Sequence, residues 1–189
     1  MATGPVVDNS TDPQDRFDNL FEANYVAIFR YCVRRLGSAD AEDAAADVFA
    51  VAWRRFHEIP AGEAGRAWLF AVAYRVIGNK YRTRRRQRSL SDRLKSDTAG
   101  LASHPLFESA PNQQVRCLYR ALSGLGMADQ ELLRLWSWDG LTRSEIAHVL
   151  GINENAVDQR LHRARTRLRT RFDRLSDSSA QQEAEEAST

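Results

Sequence analysis

The chain has 189 residues, of which 43% are hydrophobic and 28% charged, and its formal net charge is +2. These values exclude a chain that is disordered throughout and allow one large or two small globular domains. The near-neutral total hides segregated charge, because acidic ends flank two arginine-dense segments that predict basic surfaces suited to a polyanion.

Apolar residues recur at helical spacing along the whole chain, which predicts an all-α fold. After a disordered acidic N-terminus (1–14), a first helix starts behind Asp12-Pro13 and ends at Gly37. A second helix runs from about Asp40 to His57, and a third from about Ala67 to Arg86, with the loop HEIPAGEAG between them. We expect these helices to form a first lobe over residues 15–88.

The helical pattern stops at residues 89–111, a stretch rich in Ser and Asp that predicts a flexible linker. Beyond it, apolar stripes over 115–125 and 132–136 predict two further helices. The stretch LTRSEIAHVLGINENAVDQRLHRARTRLR adds two more, which completes a second lobe over residues 112–175. Residues 176–189 are polar and are predicted to be a disordered tail.

The last two helices show the spacing of a helix-turn-helix. Thr142 and Glu145 form a capping-box pattern that starts the first of them. Gly151 suits the left-handed residue that ends it, and Asn153 can cap the next helix. This spacing is shared by many DNA-binding families.

The two faces of the last helix predict different roles. Val157, Leu161, Ala164 and Leu168 recur every three or four residues and are expected to face the core. On the opposite face, Gln159 suits adenine, Arg163 suits guanine, and Asp158 can accept from a cytosine amino group, while the arginines beside that face suit phosphates. The alternative is a solvated, arginine-rich helix that packs only on its neighbours.

A second basic segment, AWLFAVAYRVIGNKYRTRRRQR, interleaves aromatic residues with cations, a pattern typical of single-stranded nucleic-acid binding. We expect Trp68 to be a core residue, and Tyr74 and Tyr81 to serve nucleic-acid binding. The preceding helix, DAEDAAADVFAVAWRRF, has an acidic first turn. That turn either complements the helix dipole or docks a basic partner.

These segments resemble a known family. DAEDAAADVFAVAWRRF, followed by AWLFAVAYRVIGNKYRTRRR, resembles region 2 of the extracytoplasmic-function (ECF) sigma factors, the small two-domain sigma subunits of bacterial RNA polymerase. The helix-turn-helix with VDQRLHRARTRLR resembles their region 4. The resemblance covers roughly residues 15 to 175 in the family's order. It implies a protein that directs core RNA polymerase to promoters and has no catalytic residues of its own.

The resemblance also implies site residues and partners. Region 2 would dock on the polymerase β′ clamp helices through Asp40, Asp43, Asp47, Val48 and Phe49. The loop from His57 to Arg66 would hold a flipped base of the −10 element, and the strand would run along Arg66, Tyr74, Arg75, Asn79, Lys80, Arg82 and Arg84. Region 4 would pack on the β flap and read the −35 element through Asn155, Asp158, Gln159, Arg160, His162, Arg163 and Arg167. An anti-sigma factor covering both lobes is a further implied partner.

Three other functions stay open at this point. A free-standing helix-turn-helix regulator would need a dimer interface or an effector pocket, and an RNA-binding antitermination factor would use the arginine segments without polymerase. An enzyme is disfavoured because the four histidines are scattered and no HExxH motif, nucleophile elbow or phosphate-binding glycine loop is present.

Cofactors, metals and membranes are not indicated. Cys32 and Cys117 lack a CxxC neighbour, which predicts structural cysteines rather than a zinc site, a disulfide or a redox sensor. The N-terminus is polar and acidic, and no apolar run is long enough to span a bilayer. We therefore expect a cytoplasmic protein without a cofactor.

Overall fold

The structure, a computed structural model, describes residues 13–91 and 112–186, with the side chains of all of them except 85, 87–91 and 179–186. The predicted cap at Asp12, the acidic N-terminus and most of the predicted linker lie outside the described residues. Every regular element within the described ranges is a helix, which confirms the all-α fold.

The first lobe contains three α-helices. They are α1 (Pro13–Leu36), α2 (Ser38–Arg54) and α3 (Glu63–Ser91). The second helix ends earlier than its apolar pattern predicts, because the chain turns at Arg55 into a short 3-10 helix over Phe56–Glu58. The third begins four residues before the predicted start at Ala67, inside the glycine-containing loop.

Small residues on α2 allow the three helices to approach closely. Ala41, Ala44 and Ala52 are fully buried, and α1 and α3 both pack against this helix. Tyr31 and Phe70 fill the space beside them, with their rings edge to face at 5.4 Å between centroids. On α1, Ile28, Tyr31 and Cys32 are all fully buried and face this packing.

The second lobe contains four helices. They are α4 (Gln113–Ser123), α5 (Met127–Ser137), α6 (Arg143–Leu150) and α7 (Glu154–Glu186). Leu132, Leu135, Ile146 and Val157 form its buried centre. Gln130 is also buried, and its Nε2 donates to the carbonyl oxygen of Leu125 at 2.8 Å, so the polar amide stabilises the turn between α4 and α5.

The last helix extends into the predicted disordered tail. α7 is continuous to Glu186, so residues 176–186 are helical where the polar composition predicts disorder. The segment SSAQQEAEE contains Ala, Gln and Glu, which are good helix formers. A helix that is already nucleated can propagate through such residues at little cost.

The two lobes contact each other directly, a feature that the sequence does not predict. α3 of the first lobe packs against α6 of the second. Tyr31 Oη, on α1, donates to Glu131 Oε1, on α5, at 2.9 Å. The Tyr31–Glu131 hydrogen bond joins residues that are 100 positions apart in the sequence.

Candidate nucleic-acid interfaces

The start of α7 is positioned by local hydrogen bonds that the sequence predicted. The Thr142 hydroxyl accepts from the Glu145 amide at 3.2 Å and the Glu145 carboxylate accepts from the Thr142 amide at 2.8 Å, which confirms the capping box. Gly151 adopts the left-handed conformation at φ 65° and ends α6. Asn153 Oδ1 then accepts from the Ala156 amide at 2.8 Å and starts α7. Side-chain caps therefore fix the starts of both helices of the helix-turn-helix, and the left-handed glycine fixes the turn between them.

The buried and exposed faces of α7 follow the predicted division. Val157, Leu161 and Ala164 are buried against the second lobe. The predicted reading face is exposed along its length at Asn155, Asp158, Gln159, His162 and Arg163. An exposed polar stripe on the second helix of a helix-turn-helix is the part that enters the major groove.

Three side chains on this face already have partners. Asp158 Oδ1 accepts from the Arg143 guanidinium at the start of α6, and both side chains are more than half exposed. Gln159 Oε1 and Arg163 Nη2 lie 3.4 Å apart, one helical turn along. These pairs are weak and solvent-exposed, so a DNA base can replace either partner.

The arginines beside the reading face differ in whether another side chain holds the guanidinium group. Arg160 is exposed, as a phosphate contact requires. Arg167 Nη1 lies 2.7 Å from Asp129 Oδ2 on α5, and the Arg165 guanidinium lies 5.1 Å from the centre of the Trp136 ring. The second pair is a cation–π contact, which orients Arg165 across α5.

The first lobe carries the second predicted nucleic-acid surface on α3. Tyr74 is 40% exposed, and Arg75, Asn79 and Arg82 are exposed along the same helix. The Arg82 guanidinium donates to Asn79 Oδ1, so these two residues act as one polar unit. An exposed ring beside cations suits stacking of an unpaired base with its phosphates held nearby.

Three other predicted residues of this surface are held by carboxylates. Lys80 pairs with Asp47 at 2.9 Å, and Arg84 pairs with Asp40. Arg66 Nη1 contacts Glu145 Oε1 in the second lobe at 2.6 Å. Lys80 and Arg84 line the groove between α2 and α3 together with the acidic residues of α2.

The acidic helix α2 presents only part of its predicted docking surface. Asp43 and Asp47 are exposed and Asp40 is half-buried. Val48 is fully buried and Phe49 is 5% exposed, so both side chains contact the core in this structure. Their assignment to the docking surface stays a prediction.

The loop between α2 and α3 is short and tightly closed. The Ile59 and Gly65 amides donate within it, to the carbonyl oxygens of Phe56 at 3.1 Å and Gly62 at 3.0 Å. A Cβ built on Gly65 would lie 2.7 Å from the Pro60 carbonyl oxygen. Glycine is therefore required where the loop meets α3, at the edge of the predicted base pocket.

The aromatic residues of this lobe serve different purposes. Trp68 packs against the core, which agrees with its predicted role. The Tyr81 hydroxyl donates to the Arg35 carbonyl oxygen, so this side chain, expected to serve nucleic acid, also ties α3 to α1. An aromatic surface that the sequence analysis missed lies on α1 and α2, where Phe21, Tyr25 and Trp53 are at least 36% exposed. The signal for it was present, since Phe17, Phe21 and Tyr25 follow at intervals of four.

Both cysteines are buried, Cys32 completely and Cys117 to 2% exposure. Burial raises the pKa of Cys32 to about 11, although Arg35 and Lys80 act in the opposite direction. A thiol with this pKa stays protonated at neutral pH and is a poor redox sensor. Among residues 13–91 and 112–186, no cluster of His, Cys, Asp and Glu suitable for a metal is found, and no helix is long and apolar enough to cross a bilayer.

Comparison with known proteins matches each lobe to a family. Residues 20–87 match the model of sigma-70 region 2, and residues 115–168 match that of sigma-70 region 4. The RNA polymerase sigma factor CnrH of Cupriavidus metallidurans is 32% identical over 171 residues, which cover 85% of this chain and 88% of CnrH. The ECF RNA polymerase sigma factor SigL of Mycobacterium tuberculosis is 28% identical, over 82% of this chain and 88% of SigL. The chain belongs to the ECF sigma factors.

A solved structure that spans both lobes supports the same family assignment. The structure of CnrH in complex with the cytosolic domain of CnrY matches with a TM-score of 0.59 at 26% identity, covering 87% of this chain and 91% of that chain. The first lobe is therefore sigma region 2 and the second is sigma region 4. As a sigma factor, the protein directs RNA polymerase to promoters.

Proposed function

We propose that this sigma factor reads the −35 element with the exposed face of α7 and opens the −10 element along α3. The observation that carries the first assignment is the exposed stripe of Asn155, Asp158, Gln159, His162 and Arg163 on a helix whose opposite face is buried. Gln159 and Arg163 supply the two-pronged hydrogen bonding that distinguishes adenine and guanine in the major groove. Arg160 and Arg167 contact the flanking phosphates and fix the register.

The −10 element engages α3 and the loop before it. Tyr74 offers a ring on which an unpaired base stacks, and Arg75, Asn79 and Arg82 lie along the strand. The loop from His57 to Arg66 receives the flipped base. The unstacking penalty of a few kcal/mol is offset by contacts in the pocket.

Core polymerase docks on the acidic side of α2. Asp43 and Asp47 are exposed and Asp40 is half-buried. Together they meet a basic surface, for which the β′ clamp helices are the proposed partner. Region 4 packs on the β flap. The chemistry of transcription belongs to the polymerase, in the cytoplasm, and this sigma factor contributes recognition and melting without a cofactor.

An anti-sigma factor is a further proposed partner. The similar protein CnrH has been solved in complex with the cytosolic domain of CnrY. The exposed aromatic surface of Phe21, Tyr25 and Trp53 offers apolar area for such an inhibitor. Surfaces of this kind mark interaction sites when they form a contiguous patch.

The free-standing regulator explains less of the molecule. It uses the second lobe alone and assigns no role to the exposed ring and cations on α3 or to the acidic groups on α2. The sigma factor uses all three surfaces.

Promoter melting tests the assignment of α3. Core polymerase with the full-length sigma factor is mixed with a promoter carrying 2-aminopurine at the −10 element, and fluorescence reports unstacking. Tyr74→Ala and Arg75→Ala should reduce melting at least tenfold while binding of a −35 duplex is retained. Asn19→Ala, an exposed change on α1, serves as the control. Normal melting by the Tyr74→Ala protein would contradict the assignment.

A further inference from the structure

An ion pair joins the two helices of the helix-turn-helix on their exposed side. Arg143 is the first residue of α6, and Asp158 lies near the start of α7, on the reading face. The Arg143 Nε donates to Asp158 Oδ1, although the two residues are 15 positions apart in the sequence. The pair therefore connects a side chain proposed to read a base with a helix that has no assigned DNA contact.

Capped helix starts hold both members of the pair in place. Thr142 directly precedes Arg143, and its hydroxyl accepts from the Glu145 amide at 3.2 Å. Asn153 starts α7 in the same way, through the Ala156 amide at 2.8 Å. The backbone beneath each side chain is therefore part of a regular helix, and the pair does not depend on a loop conformation.

The pair leaves hydrogen-bonding capacity on both side chains. It uses Arg143 Nε and one oxygen of Asp158, while a guanidinium has further N–H donors on its terminal nitrogens and a carboxylate has a second acceptor oxygen. The two side chains are 58% and 51% exposed, so these remaining groups are accessible to DNA. A cytosine amino group can therefore bind Asp158 without displacing Arg143.

Arg143 lies where a helix-turn-helix meets the DNA backbone. When the second helix enters the major groove, the first helix crosses the backbone beside it. Arg143 is in the first turn of that helix, on the side that faces Asp158 and the groove. Because Nε is engaged with the carboxylate, the two terminal nitrogens are available to a phosphate, which a guanidinium binds through two parallel hydrogen bonds.

Asp158 alone has an unfavourable charge for the major groove. The phosphates that line the groove repel a carboxylate, whereas they attract its neighbours on α7, Arg160 and Arg163. Arg143 offsets this repulsion because it places a cation between the carboxylate and the backbone. The pair contributes little to the free protein, where both side chains are exposed. It contributes more in the complex, because DNA excludes water from around it.

We propose that Arg143 is a positioning residue for the −35 contact. It binds a backbone phosphate and the Asp158 carboxylate together, and so holds Asp158 Oδ2 towards the amino group of a cytosine. The inference rests on the proposed reading of the −35 element by α7. It adds a residue of α6 to that surface, and it makes the preference for one C·G pair depend on both helices.

Selection of promoters by the holoenzyme tests the positioning role. Core polymerase with the full-length sigma factor is given a promoter pool randomised in the −35 element, and affinities for the selected promoter and its single-base variants are then measured at several salt concentrations. The wild-type protein should prefer C·G at one position by about fivefold, as expected for a single base contact. Arg143→Ala should remove that preference and lower the slope of log K against log salt by about 1.

Two further substitutions separate positioning from charge. Arg160→Ala is the matched control, an exposed arginine proposed to contact phosphate, and should lower the salt slope as much while the base preference is unchanged. Arg143→Lys keeps the charge but lacks a planar group that binds two partners at once, so it should keep the salt slope and lose the preference. Retained preference in either variant of Arg143 would overturn the proposal. The lysine protein decides the matter if the alanine protein loses its helical circular dichroism.

Substitution of Asp158 shows which of the two side chains reads the base. Asp158→Ala, alone or combined with Arg143→Ala, should show the same lost preference as Arg143→Ala, because each change removes the same contact. If Asp158→Ala keeps a preference that Arg143→Ala loses, Arg143 reads the base itself and the proposal is overturned.

The outcomes also separate the positioning role from the proposed function of α7. If Gln159→Ala and Arg163→Ala leave every selected base unchanged, the assignment of the −35 element to α7 fails, and the positioning role fails with it. If these two substitutions alter the selected sequence while Arg143→Ala does not, the positioning role alone is overturned.

Discussion

Lys80 Nζ lies 2.9 Å from Asp47 Oδ2. A cation proposed to contact the −10 strand is therefore paired with a carboxylate proposed to dock on core polymerase. Arg84 and Asp40 form a second such pair farther along the same groove. The groove between α2 and α3 thus brings the two proposed surfaces of region 2 into contact. Docking of a basic polymerase surface on the carboxylates would release the cations for DNA, which links the two binding events through charge alone.

The pairing predicts a selective effect of Asp47→Asn. Loss of this carboxylate should weaken core-polymerase binding by about 1 kcal/mol, roughly fivefold, which is the upper range for an exposed charge pair. The thermal midpoint should hardly change, because the Asp47 side chain is 57% exposed. Competition for core polymerase against a labelled sigma factor measures the affinity. Glu22→Gln, an exposed carboxylate on α1, should bind normally, and an equal loss there would count against a specific acidic surface on α2.

Arg163→Ala and Arg160→Ala should weaken DNA binding in two different ways. Arg163 lies on the reading face, so its loss should cost about 1–3 kcal/mol on the preferred −35 sequence and relax selection at one position. Arg160 is placed for phosphate, so its loss should weaken all sequences equally and lower the slope of log K against log salt by about 1. Fluorescence anisotropy on matched duplexes at several salt concentrations separates the two. Identical salt and sequence effects would contradict the division of the helix into two faces.

Asp158→Ala should change promoter preference rather than abolish binding. The carboxylate pairs with Arg143 and repels phosphates, so its removal frees a cation and should raise affinity for non-specific duplex. Discrimination at the base pair that Asp158 faces should decrease. Selection of −35 sequences from a randomised pool, with Asp173→Asn as the control, tests both effects. An unchanged selected sequence would show that Asp158 does not read a base.

Alanine substitutions at two glycines of α3 should have opposite effects on the free energy of unfolding. Gly65→Ala forces a Cβ to within 2.7 Å of the Pro60 carbonyl oxygen and should destabilise the protein by about 1–3 kcal/mol. Gly78→Ala meets nothing within 4 Å and should stabilise it by about 0.5–1 kcal/mol, the usual gain for a helix interior. Urea unfolding compares them. Promoter melting should fall only for Gly65→Ala, because only that change displaces the loop before α3.

Cys32 should be unreactive at neutral pH, and its ionisation should make the free energy of unfolding depend on pH. Its pKa of about 11 lies above that of an unfolded cysteine, so the unfolded chain ionises first and stability falls as pH rises from about 8.5 towards 11. Alkylation by iodoacetamide at pH 8 should be at least about a hundredfold slower than at an exposed cysteine introduced by Asn19→Cys. Mass spectrometry measures both rates, and comparable rates would contradict a buried structural thiol.

The helices and the faces of α7 could be predicted from sequence because they depend on local chemistry. The capping box at Thr142, the left-handed Gly151 and the apolar spacing of Val157, Leu161 and Ala164 each act within a few residues. The cap, the turn and the buried face that they predict are confirmed. The exposure of the reading face follows directly, since its opposite face is buried.

Features that depend on distant parts of the chain could not be predicted. Arg34 and Arg35 look like ordinary cations at a helix end, and nothing local indicates that Glu131 and Asp139 lie against them. Val48 and Phe49 are buried, whereas the family resemblance implies that they dock on a partner. The helical extension of α7 differs from the predicted disordered tail because Ala, Gln and Glu are polar or small and still favour a helix.

The most direct test of the central claim is transcription by core RNA polymerase on a library of genomic promoter fragments, with and without this sigma factor. The account predicts new start sites that share two upstream elements about 25 base pairs apart, roughly 85 Å along the duplex. The element farther from the start site should change with substitutions on α7, and the nearer one with substitutions on α3. The account is contradicted if polymerase neither binds the protein nor gains start sites while the protein alone binds duplex DNA.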